Sequence, residues 1–136
     1  MPVNGIGGFF FRARDPEALK AWYREHLGIG CGDYGMWDQA AGTTVFSPFP
    51  SDTDYFPADR QWMLNLRVDG IDDLLATLRD SGIEVVTKEE WDAPGYGRFA
   101  RIHDPEGNPI ELWEPPAGCI SAGFGHIPAQ GHSPHL

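Results

Sequence analysis

The side chains best placed to do chemistry stand in one short run near the C-terminal end, Ile110-Glu111-Leu112-Trp113. Period-two alternation sends Glu111 and Trp113 to one face and Ile110 and Leu112 to the other. A carboxylate and an indole therefore share a surface whose reverse is core. A carboxylate so placed can pair with a cation or amide, bind a ligand that donates hydrogen bonds, or act as a general base with a raised pKa. Arg67, Arg12 and Asn65 are the candidate partners inside the chain. Glu111 is also the best catalytic candidate if the protein turns over a substrate.

The run is positioned by a turn. Asp104-Pro105-Glu106-Gly107 carries an acceptor at its first position, a proline that presets φ at its second and a glycine at its fourth, the composition of a type I turn. Alternating runs on both sides predict a β-hairpin over 98–103 and 109–114.

Upstream the chain reads as two similar passages. Strand-like sequence over 3–13 leads to Asp15-Pro16-Glu17, an N-cap acceptor, a proline at the first helical position and an acid in the first turn. Leu19, Trp22, Tyr23 and Leu27 then recur at helical spacing until Gly28, and the segments 29–34, 36–39 and 43–49 read as short strands. Residues 50–60, rich in Pro, Asp and Ser, read as a linker or surface loop. The pattern then restarts: a strand over 63–68, an Asp69/Asp72 capping pair, a stripe of Ile71, Leu74, Leu75 and Leu78, a stop at Gly82 and a strand over 83–87. Phe9-x-Phe11-Arg12 recurs as Leu64-x-Leu66-Arg67, and Gly28-Ile29 as Gly82-Ile83, which marks an internal duplication.

The predicted fold class is α+β: two βαβββ modules, over 3–50 and 62–115 with a linker at 50–61, forming a curled mixed sheet with the helices outside. Residues 1–116 make a single domain in this reading, and 117–136 a flexible tail or dimer arm. Parity places Phe10 and Arg12 of the first module, and Met63, Asn65 and Arg67 of the second, on the concave face with Glu111 and Trp113. These seven residues are the predicted ligand-binding set, since aromatic walls with a few convergent polar groups suit an organic ligand.

Composition narrows the partners. With 20 acidic against 10 basic residues the formal charge is −10, which argues against a nucleic-acid partner and favours a cationic ligand. No apolar run approaches a membrane span, and Cys31 and Cys119 stand far apart with no partner at metal-ligand spacing. Two reduced thiols in a cytoplasmic protein is the reading that follows. His126, His132 and His135 in the tail have spacings that fit no common closed metal site.

The paired modules, Asp15-Pro16-Glu17 leading to Trp22-Tyr23 and Leu27-Gly28, and Asp104-Pro105-Glu106-Gly107-Asn108 before Ile110-Glu111-Leu112 resemble the vicinal oxygen chelate superfamily. That group contains glyoxalase I, extradiol dioxygenases and the bleomycin-resistance binding proteins. The resemblance implies a homodimer and, in the enzymes, a divalent metal held at four positions of the concave face. Glu111 matches the last of these positions. The others fall on Gly8, on Met63, and on Thr44 or Phe46 according to register. One strong ligand does not hold a catalytic ion where three are typical, so neither metal nor cofactor is expected. A metal site requires a different register, with His103 or Asp104 turned inward.

Three functions follow from this reading. The first is a metal-free small-molecule binding protein for an aromatic or cationic ligand. The second is a glyoxalase-like lyase or isomerase, or a dioxygenase-related enzyme, including a metal-independent variant that uses Glu111. The third is a protein-interaction module.

Overall fold

The computed structural model describes residues 2–92 and 95–116. The expectations placed on the tail, on Cys119 and on the three tail histidines lie outside these residues. By internal contacts the chain divides into a unit spanning Met1–Trp37 and a second from Asp38 onward.

The first unit is built on α1, Pro16–Leu27. Asp15 caps it by accepting from the Ala18 N–H at 3.2 Å, with Pro16 in the first turn. Gly28 ends it in the left-handed conformation at φ 68°, where a residue without Cβ is favoured. Leu19 and Tyr23 are buried, and the Phe11 ring meets Tyr23 edge-on at 6.2 Å. Beyond the helix, Asp33–Gly35 forms a 3-10 turn in which Tyr34 takes φ 60° with its side chain fully exposed. A β-carbon in that region costs roughly 1–2 kcal/mol, and no packing of the ring offsets it. Tyr34→Asn should therefore raise stability by about 1 kcal/mol, read as a higher urea midpoint at unchanged slope.

The second unit holds a mixed sheet of three strands in the order β1 (Leu64–Arg67), β3 (Pro109–Glu114), β2 (Arg98–His103). β1 runs parallel to β3, and β2 antiparallel to it. The hairpin is the one that the turn predicts. Gly107 N–H reaches the Asp104 carbonyl at 2.9 Å, and the Asp104 carboxylate accepts from the Glu106 and Asn108 N–H groups and from the Asn108 amide. Arg60 braces the turn from outside through Nη2 to the Glu106 carbonyl at 2.9 Å.

α2, Ile71–Asp80, lies against β3 with Ile71, Leu75 and Leu78 buried. The reverse of the sheet, with Ala100, Ile102, Ile110 and Leu112, is completely excluded from water. The Asp69/Asp72 cap is not formed. The N-cap is Gly70 at φ 66° with no side-chain cap bond, and the Ile71 N–H is satisfied instead by Glu114 Oε1 at 2.9 Å. A left-handed entry requires glycine, which leaves Asp69 one residue too early. The C-terminal stop agrees with expectation: Gly82 at φ 82° follows Ser81, and Ile83 N–H returns to the Leu78 carbonyl at 3.0 Å.

Several expected strands carry no ladder. Among the described residues, 3–13, 29–34, 36–39 and 43–49 form no strand, and 83–87 makes only the isolated bridge Val86↔Arg101. Alternation in sequence supplies a face but not a hydrogen-bonding neighbour, and glycines at 5, 7, 8, 30, 32, 35 and 42 raise the entropy cost of holding extended backbone.

Candidate functional site

The hairpin and the parallel pairing fix one row of polar side chains across the sheet. Register sets Asn65 opposite Glu111 and Arg101 opposite Glu111, so amide, carboxylate and guanidinium stand side by side on one face. The next row is Arg67, Trp113 and Phe99. Glu111 is 2% exposed and Arg101 7%. Each buried charge thus has an opposite one beside it, where either alone would be costly.

Tyr55 completes the arrangement from the 50–60 segment. Its phenol donates to Glu111 Oε2, while Asn65 Nδ2 donates to Oε1 at 2.7 Å. Arg101 Nη2 donates to the Tyr55 carbonyl at 2.9 Å, and its guanidinium carbon lies 5.0 Å from the Tyr55 ring centroid and 5.6 Å from that of Trp91, within reach of a cation–π contact. Burial, followed by the Glu111 charge, raises the Tyr55 phenol well above its ordinary value of 10.0. The unfolded phenol ionises near pH 10 and the folded one does not. This group's stabilisation is therefore complete below pH 10 and declines as pH rises beyond it. Thermal melts from pH 9 to 11.5 should show a steeper alkaline loss in wild type than in Tyr55→Phe.

The predicted residues divide in space. Asn65 and Glu111 meet as the parity argument requires. Met63 packs half-buried against the cluster of Tyr55, Trp91, Phe99 and Trp113. Trp113, 1% exposed, donates its indole N–H to the Tyr96 carbonyl at 2.8 Å and stacks on Phe99 at 6.3 Å and 13°. Arg67 reaches the Ala40 carbonyl at 3.0 Å and presses on the backbone at Gly42, where a Cβ would collide with its guanidinium. Phe10 and Arg12 belong to the first unit and are exposed. His103 is exposed, and Asp104 is buried within its own turn.

Sequence reasoning passed over Tyr55, Trp91 and Arg101. Arg101 is legible in hindsight: counting back from the turn pairs His103 with Pro109, Ile102 with Ile110 and Arg101 with Glu111. Arg101 is thus a buried charge on the Glu111 face. Tyr55 has no such signal, because nothing in a Pro- and Asp-rich stretch says that one ring folds back over the sheet.

The donor set does not fit the divalent ion that the superfamily's enzymes hold. Around Glu111 stand an amide, a phenol that keeps its proton and a guanidinium; both carboxylate oxygens accept hydrogen bonds, and the nearby fixed charge is positive. Among the described residues no three His, Cys, Asp or Glu side chains gather as ligands.

The sequence profile of the glyoxalase-like domain matches residues 8–113. The chain belongs to this family. Its resemblance to the vicinal oxygen chelate superfamily stands on the same match. Among solved structures, the glyoxalase-like chain is similar to TnmS3, an antibiotic binding protein from Streptomyces sp. CB03234, with 27% identity, 85% of this chain and 99% of that chain covered, and a TM-score of 0.56. A glyoxalase/bleomycin resistance protein from the same Streptomyces is 28% identical over 74% of this chain and 91% of its own, at a TM-score of 0.45. A glyoxalase family protein from Enterococcus faecalis is 24% identical over 72% and 87%, at 0.42. No curated protein matches. No helix among the described residues is long and apolar enough to cross a membrane.

Proposed function

We propose that this glyoxalase-like protein is a metal-free binding protein for a small aromatic or cationic organic molecule, working as a homodimer in the cytoplasm. The observation that carries the reading is the engagement of Glu111: its oxygens serve Tyr55 and Asn65 beside Arg101, an arrangement suited to recognising polar groups rather than gripping an ion. Likeness to an antibiotic binding protein over nearly that protein's whole length supports a ligand of comparable chemistry. The net charge of −10 favours encounter with cations.

Calorimetry against a panel of planar and cationic compounds, antibiotics included, tests the reading. Saturable binding that survives chelator treatment, from a particle of twice 15.1 kDa by light scattering, is the expected result. Binding that disappears with chelator contradicts it, as does silence across the panel.

A further inference from the structure

Tyr55 covers Glu111 from a segment that has no strand pairing of its own among the described residues, between exposed positions at Asp52, Asp54 and Pro57. Its ring is nevertheless buried, with Phe49 at 5.7 Å and Trp91 at 6.1 Å. The cover is chemically incomplete. Arg101 Nε is buried and has no hydrogen-bond partner among the described residues, although a donor on a buried guanidinium ordinarily finds one.

We infer that Tyr55 is an internal substitute for a phenolic ligand: a hydroxyaryl molecule displaces the Tyr55 side chain, gives its own hydroxyl to Glu111, and lies between Phe49 and Trp91 against the Arg101 guanidinium. The exchange replaces one phenol–carboxylate bond by another and one ring over a cation by another, so little is lost in opening. An acceptor atom on the incoming molecule would also meet the Arg101 donor that the protein leaves unsatisfied. Rotating the side chain away spares the bond from Arg101 to the Tyr55 carbonyl, so the segment stays anchored while the site opens. This rests on the binding-protein reading and sharpens it by naming the ligand class and the residue that competes with it.

The test uses the full chain and two probes, 2-naphthol and 2-methoxynaphthalene, which differ in the ability to donate. Wild type should bind 2-naphthol more tightly than its methyl ether. Tyr55→Phe keeps the ring but gives up its bond to Glu111. It should tighten both probes about tenfold, the worth of one charge-assisted hydrogen bond that neither has to break on entry, and keep the preference for 2-naphthol. Glu111→Gln should erase the preference between the probes; melts of each variant confirm folding. Equal affinities for the two probes in all three proteins overturn the inference, as does 2-naphthol failing to bind Tyr55→Phe. If other compounds of the calorimetric panel still bind, the binding-protein reading survives that outcome; if none does, both fall.

Discussion

Arg101→Met should lower stability by about 3–5 kcal/mol, the cost of leaving a buried carboxylate without its compensating charge, and depress the melting temperature by roughly 10 °C or more. Arg101 is 7% exposed, faces Glu111 across the β2–β3 ladder and lies under two aromatic rings. The number alone does not discriminate, because losing the packing of a long buried side chain is also destabilising. The double variant does. Arg101→Met with Glu111→Leu removes both charges and should recover most of the loss, since a buried pair replaced by apolar groups is often neutral. Additive losses in the thermodynamic cycle would show that the two side chains do not interact.

Trp113→Ala should cost about 3–5 kcal/mol, whereas Phe10→Ala should change stability by less than about 0.5 kcal/mol. Parity assigns both rings to the same concave surface, yet their surroundings differ. Trp113 is 1% exposed, stacks on Phe99 and hydrogen-bonds the Tyr96 carbonyl; Phe10 is 92% exposed. Removing the first leaves a large cavity and an orphaned carbonyl, while removing the second leaves nothing unfilled. Chemical denaturation of both variants separates them, and similar losses would contradict the burial assigned to each.

How far the sequence could be read depended on whether a feature was local. The Asp104–Gly107 turn, the Asp15 cap, the Gly28 and Gly82 stops and the shared face of Glu111 and Trp113 are each written within a few neighbouring residues, and the structure carries all of them. Asn65 as a partner of Glu111 followed from strand parity, which sets the face; the parallel alignment of β1 on β3 that brings the two side by side is a long-range feature. The cap on α2 failed because it comes from Glu114, 43 positions away along the chain. Tyr55 was invisible for the same reason: it reaches Glu111 across 56 positions from a segment whose composition signals only a loop. The strands expected before residue 50 show the converse limit, since alternation and glycine punctuation specify a tendency to extend but not what the backbone pairs with.

The central proposal is that the Glu111 face is an array of hydrogen bonds and aromatic contacts, not the cage of an ion. Elemental analysis of the full chain, purified without chelator and then equilibrated with Zn, Mn, Ni and Fe(II) in turn before desalting, tests it most directly. The account predicts far less than one equivalent of any of them, with the same retention in Glu111→Gln as in wild type. One equivalent of a single metal, retained through desalting and lost in Glu111→Gln, would contradict it.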